Sequence, residues 1–133
     1  KAARGVGGRQ YPWGNQFEAG RLNSAEGEQV VQATTPVGIY TGGVSPFGAF
    51  DCAGNVWEWC ATQAPGYELK PYPYHTAEDE WAIDYLNRTN IRALRGGSWD
   101  LSEDDARCVC RYRNNPHLRN YSIGCRLAAS PIG

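Results

Sequence analysis

The sequence is poor in the features that most directly announce a function. No run of about 18 apolar residues occurs, which excludes a membrane-spanning helix of ordinary length. Formal charge is near balance at -1, with a pI of about 6.1, so no broad attraction to a polyanion arises and no nucleic-acid partner is expected. Lysine is scarce, 2 against 11 arginines, which favours planar, bidentate and stacked contacts over flexible point charges. The 2 histidines, His75 and His117, are too few and too far apart to suggest a histidine-based metal triad. They read as solvated or ligand-facing loop residues. Nor is there an internal repeat, a low-complexity tract or a linker, so residues 1–133 read as a single domain.

What the chain does contain is turn chemistry. Sixteen Gly and 8 Pro are scattered throughout, and no helical apolar period lasts beyond about two or three turns, which argues for a loop-rich α+β fold on short strands. Strand-like runs fall at Val37–Tyr40, Val56–Cys60, Ala93–Gly96, Arg107–Tyr112 and Gly124–Ala128. Thr76 to Asn87 reads as a short amphipathic helix, capped by Thr76 with Glu78, Asp79 and Glu80 in its first turn. Gln63 to His75, rich in Pro and Tyr, reads as an ordered surface loop. The 5 cysteines are an odd number, so at least one thiol is free or pairs outside the chain. Cys52 and Cys125 read as small buried filler.

Three blocks carry more information than the rest. Asp51-Cys-Ala-Gly-Asn-Val-Trp-Glu-Trp59 sets one carboxylate between two indoles beside a Gly-Asn turn. Arg95-Gly-Gly-Ser-Trp99 follows, and then Arg111-Tyr-Arg-Asn-Asn-Pro116 with Ile123-Gly-Cys-Arg-Leu127. In order and rough spacing these blocks resemble the formylglycine-generating enzyme and sulfatase-modifying-factor family. Lys1-Ala-Ala-Arg-Gly5, Tyr11-Pro-Trp-Gly14 and Thr35-Pro-Val-Gly38 extend the resemblance nearly end to end. It implies a C-type-lectin-like fold. Domains of that family run to roughly twice this length, so the chain is expected to be the C-terminal half or a minimal version, with a missing N-terminal half or partner chain. The scaffold carries both enzymes and pure binders, so the resemblance leaves activity open.

A metal site is the first candidate. Gly54 and Val56 could offer carbonyls, and Asp51 and Glu58 carboxylates, an all-oxygen set that suits calcium. The matching positions in the resembled enzymes bind structural calcium. The competing reading has Glu58 capping local amides or pairing with an arginine while Trp57 and Trp59 fill core. A second calcium site of the family would fall near Asn23, Ser24, Gln29 and Val31, with Gln29 in place of a carboxylate.

Catalysis is the second candidate, and there the chain departs from the family pattern. The resembled oxidases hold copper with two cysteines just after the Gly-Gly-Ser block, a sensible soft-metal pair. Here Trp99-Asp-Leu-Ser-Glu-Asp-Asp-Ala106 stands in that place, and no cysteine follows until Cys108. Cys108 and Cys110 lie two apart, on one face of the expected strand. No catalytic residues are therefore assigned.

The third candidate is a binding face. Trp99, Asp100, Ser102, Tyr112, Arg113, Asn114, Asn115, His117, Arg119 and Tyr121 combine rigid aromatics with short polar adaptors, the mixture found in paratopes. The region also resembles the variable region of proteins diversified by retroelements. The resulting expectation is a non-catalytic protein that binds a protein or small-molecule ligand at its C-terminal face. Its alternative is a fragment of an oxidase, either a sulfoxide synthase C-terminal domain or a formylglycine-generating relative.

Overall fold

Strand-forming residues are concentrated around the two tryptophans of Trp57-Glu-Trp59 and in Arg92-Ala-Leu-Arg95, and in the computed structural model of the chain these two runs pair. The structure describes residues 1–27, 30–64 and 91–127. Four strands form one mixed sheet: β1 (Trp57–Gln63), β2 (Arg92–Arg95), β3 (Tyr112–Asn114) and β4 (Ile123–Gly124), in the order β3-β2-β1-β4. β1 runs antiparallel to β2, which runs antiparallel to β3, while β4 lies parallel to β1. The register opposes Glu58 to Arg95 and Trp59 to Leu94, then slips before Gln63 meets Arg92. That bulge takes the Ala61 carbonyl out of the regular ladder, and the Arg92 guanidinium donates to it at 2.8 Å.

The expected strands are partly corrected. β1 begins at Trp57 rather than Val56 and runs on to Gln63. β2 ends at Arg95, because Gly96 and Gly97 both take positive φ, 98° and 73°, and turn the chain away. Val37–Tyr40 is not a strand: Gly38 adopts φ 83° in a turn, and a 3-10 helix follows at Thr41–Gly43. A second 3-10 helix spans Ala19–Arg21. Arg107–Tyr112 alternates like a strand, yet its first part is turn. The Cys110 amide donates to the Arg107 carbonyl at 2.8 Å, and the Arg95 guanidinium collects the carbonyls of Cys108, Val109 and Cys110. Those are the groups a neighbouring strand would have used. Strand geometry in this segment starts only at Tyr112. Of Gly124–Ala128, only Gly124 is strand, joined by Ile123, with Ala128 outside the described residues. The expected helix at Thr76–Asn87 and most of the Gln63–His75 loop also lie outside them.

The core is small and built away from the sheet edges. Tyr11, Leu22, Ala53 and Ala106 pack together, with Trp13 and Phe17 against them and the Tyr11 and Trp13 rings stacked at 5.3 Å. Within the sheet, Trp57, Ala93 and Leu94 are buried. Much of the cohesion is polar instead. Asn55, buried and at φ 66°, accepts on Oδ1 from the Thr35 amide (2.9 Å) and Asn23 Nδ2 (3.2 Å), and its own Nδ2 donates to the Thr35 carbonyl (3.2 Å). Its backbone amide donates to the Asn23 carbonyl, and its carbonyl accepts from the Trp99 amide. One side chain and its peptide groups thus tie three remote segments together, in a conformation that Asn tolerates better than most residues. Gly54 precedes it at φ 75° because a Cβ there would run into the Asn23 carbonyl oxygen.

Candidate functional site

The topology makes a bridge of the segment between β3 and β4. These strands occupy opposite edges of the sheet, so residues 115–122 must cross from one edge to the other past β2 and β1, at about 4.8 Å per strand. Arg113, Asn115, His117, Arg119 and Tyr121 on or beside this crossover are all exposed. Two aromatic pairs anchor it. Tyr112, 52% exposed, rests on the buried Trp57 with ring centroids 5.7 Å apart, and Tyr121, 70% exposed, rests on Trp99, also at 5.7 Å. Each outer tyrosine is therefore positioned by an inner indole, with its phenol end available to solvent. The indole Nε1 of Trp99 is buried and has no hydrogen-bond partner among the described residues.

The expected site residues divide into two groups. The Asp100 carboxylate accepts from the Ser98 hydroxyl at 2.6 Å, and the Ser102 hydroxyl reaches Asp105 at 3.4 Å, so both serve their own turn. Asn114 Oδ1 accepts from the Asn115 amide, and Asn115 Oδ1 accepts from the His117 amide at 2.9 Å, an Asx-type turn. By contrast, the side chains of Arg113, His117 and Arg119 have no hydrogen bond to the described residues. The asparagines shape the crossover and the other three project from it.

At the proposed calcium ligands an arginine intervenes. Arg126 donates through Nε and Nη2 to both oxygens of Glu58 at 2.6–3.1 Å, and its Nη2 also reaches the Asp51 carbonyl at 3.1 Å. The Glu58 hydrogen bonds raise the Arg126 guanidinium further above its usual range. The Asp51 carboxylate accepts from the Gly38 amide at 2.6 Å, while the Gly54 amide donates to Gly96 and the Val56 side chain packs on Gly124. No group of three His, Cys, Asp or Glu side chains that could hold a metal gathers among the described residues. With Arg126 in place, the Glu58 carboxylate and the Asp51 carbonyl already accept from a guanidinium. Arg126 stands in the Gly-Cys-Arg-Leu motif and supplies the arginine of the competing reading, in which Glu58 pairs with a guanidinium. At the second position considered for calcium, Asn23 is spent on the Asn55 network, and Gln29 lies outside the described residues.

Four of the five thiols are held above their ordinary range. Burial raises the thiols of Cys52, Cys60 and Cys110, and it pushes Cys108 up to about 11, with the neighbouring Cys52 adding to the rise. Cys108 and Cys110 also do not share a strand face, since both lie before β3, with Cys108 in the turn itself.

The profile of the sulfatase-modifying factor enzyme 1-like domain matches residues 1–131. The chain belongs to that family. It is 36% identical over 93% of its length to serine/threonine-protein kinase pkn1 of Chlamydia caviae, of which the match covers 18%. It is 34% identical over 90% of its length to a hercynine oxygenase of Mycolicibacterium thermoresistibile, covering 26% of that protein, and 32% identical over 96% to the inactive C-alpha-formylglycine-generating enzyme 2 of Bos taurus, covering 40%. Among solved structures, Treponema denticola variable protein 1 superposes with a TM-score of 0.67 at 25% identity, over 93% of this chain and 42% of that one. The fold is C-type-lectin-like, loop-rich and of the formylglycine-generating-enzyme type. The chain spans well under half the length of each of these proteins. No helix among the described residues is long and apolar enough to cross a membrane.

Proposed function

We propose that the protein is a non-catalytic binder that uses the crossover between β3 and β4, with Trp99, Tyr112, Arg113, His117, Arg119 and Tyr121 as its contact residues. The observation that carries this reading is the pairing of exposed tyrosines with inner indoles at both ends of an exposed segment whose basic side chains are uncommitted among the described residues. Aromatics held rigid by packing lose little conformational entropy when they bind, and neighbouring Arg and His supply adaptable donors. Likeness to Treponema denticola variable protein 1 supports the same reading, and with it the diversification of this segment by a retroelement. A protein or a small molecule would serve as ligand.

The test is a peptide and glycan array probed with the protein and with an Arg113→Ser/His117→Ser/Arg119→Ser variant. Loss of the wild-type signals in a variant that melts normally is the expected result, and retained signals would move the face elsewhere. The enzyme-fragment reading is favoured by one observation, the 34% identity to a hercynine oxygenase. It predicts conversion of a cysteine-containing sulfatase peptide to its aldehyde, or oxidation of a thiol–histidine-derivative pair. Neither product is expected by mass spectrometry, with copper or iron added. Calcium at Asp51, Gly54, Val56 and Glu58 is proposed only as a competitor of Arg126 for the Glu58 carboxylate.

A further inference from the structure

We propose that Cys52 and Cys108 form a dithiol site, which an anionic low-molecular-weight disulfide such as oxidised glutathione converts to an intramolecular cystine. The site stands apart from the β3–β4 crossover. Both thiols line one cavity of about 720 Å³, together with Cys60, Glu58, Arg95 and Arg126. A volume of that order admits a ligand of drug size. Its charged lining, which also includes Arg4, is predominantly positive and suits an anionic reagent.

The turns that carry the two cysteines pack on one another. Ala53, next to Cys52, and Ala106, two residues before Cys108, belong to the same buried cluster. Between the turns runs Gly96-Gly97, where a Cβ would lie 3.5 Å from the Cys52 carbonyl oxygen at Gly96 and 3.0 Å from the Asp105 carbonyl group at Gly97. Two residues without side chains thus let the two turns close on one another. Arg95 fixes the second turn by donating to the Cys108 carbonyl at 3.2 Å.

The other thiols are placed differently. Cys110 directs its sulfur to Asp105 at 3.9 Å and does not line the cavity, and Cys125 is exposed. Cys60 lines the cavity from β1, but its sulfur is engaged with the Glu58 carbonyl at 3.9 Å and with the Arg95 side chain.

The reaction is ordinary exchange. One protein thiolate attacks a sulfur of the reagent, and the departing thiolate takes up a proton. The second protein thiolate then attacks the resulting mixed disulfide and expels the other half of the reagent as a thiol. Two protein thiols lose two electrons and two protons, and the reagent disulfide gains them.

The experiment treats the reduced protein with oxidised glutathione at mildly alkaline pH, blocks the remaining thiols with iodoacetamide, and reads intact mass and peptide maps. In the wild type, Cys52 and Cys108 should both be lost as alkylation sites with no glutathione retained at either, whatever adduct the exposed Cys125 carries, and the map should join Cys108 to the peptide carrying Cys52. Cys60→Ser and Cys110→Ser should close the same bond. Cys52→Ser and Cys108→Ser should instead stop at a glutathione adduct. Closure that persists in Cys52→Ser, a bond between Cys108 and Cys110, or a wild type modified only at Cys125 would each overturn the proposal. Should a variant not fold, the wild-type map alone decides between these bonds.

Discussion

Asn55 and Asn115 are the same side chain put to opposite uses. Asn55 is 7% exposed and bonds to partners 20 and 32 residues away, whereas Asn115 is exposed and its side chain bonds only to the amide two residues on. The first fixes how distant segments meet, and the second merely shapes its own turn. Hydrogen bonds within a loop can be exchanged for others or for water with little global effect. Buried long-range ones cannot, because removal strands a desolvated partner. The molecule thus separates a region that determines the fold from one that can change side chains, and the separation can be attacked from either side.

The largest effect is expected at Trp57, 5% exposed at the start of β1 and beneath Tyr112. Trp57→Ala should lower stability by about 3–5 kcal/mol, measured by chemical denaturation. It should also release Tyr112, so near-ultraviolet circular dichroism should weaken together with stability. Asn55→Ala comes next. It leaves Asn23 and Thr35 without their partner and puts Ala at positive φ, for a combined loss of about 2–4 kcal/mol. A loss below about 1 kcal/mol would mean that the hub is not what separates the two regions.

The contrast also explains what could be read in advance. The motif blocks announced the family because Gly54-Asn55, Trp57-Glu-Trp59 and Gly96-Gly97 are demanded by particular turns and contacts, and such demands leave a mark in residue type. Positions of β1 and β2 were legible within one to three residues for the same reason. Arg107–Cys110 misled because alternation describes side chains, while the backbone there is captured by a guanidinium from Arg95, remote in sequence. Val37–Tyr40 misled because a single apolar run gives no sign of the positive φ at Gly38. At the candidate site, Arg113, Asn115, His117, Arg119 and Tyr121 are exposed, while Trp99 is half-buried beneath Tyr121. Their division into turn-formers and projecting side chains depends on bond geometry that composition does not encode; the pairing of Glu58 with an arginine was legible as the competing reading, and the structure adds that the arginine is Arg126.

A smaller effect separates Arg126 from the buried hub. The Arg126–Glu58 pair is bidentate but partly exposed, with side-chain exposures of 38% and 23%, so Arg126→Ala should cost no more than about 1 kcal/mol. In the wild type, melting midpoints with calcium and with chelator should coincide. A calcium-dependent rise in the wild type would show that the ion displaces the guanidinium, by the linkage between native-state binding and stability. A rise confined to Arg126→Ala would instead show that the arginine excludes it.

Alkaline titration probes the thiol side of the rigid region. The Cys108 thiol is raised from 9.0 to about 11, chiefly by burial, and burial also raises Cys52, Cys60, Cys110 and Tyr11. As pH climbs, the unfolded chain releases these protons first, so the native state holds more of them. The stability they contribute is complete below the unfolded value and is lost as pH rises through the folded one. Midpoints should therefore fall between pH 9 and pH 11. Cys108→Ala should make that fall shallower, and an unchanged slope would remove Cys108 from the account.

The smallest effect is expected on the crossover, and it sharpens the comparison most. Arg113, His117 and Arg119 are exposed, and their side chains have no hydrogen bond to the described residues, so each change to Ser should alter stability by less than about 0.5 kcal/mol. Asn115→Ala should cost slightly more than any of them, because it removes the acceptor for the His117 amide without burying an unmet group. This ordering distinguishes a binding surface from a structural one inside a single segment. If the triple serine variant melts with the wild type while Asn115→Ala melts a little earlier, the backbone path belongs to the asparagines and the projecting residues are free to serve a ligand. If the triple variant is the less stable of the two, those side chains hold the crossover to the sheet, and the face proposed for binding is part of the framework.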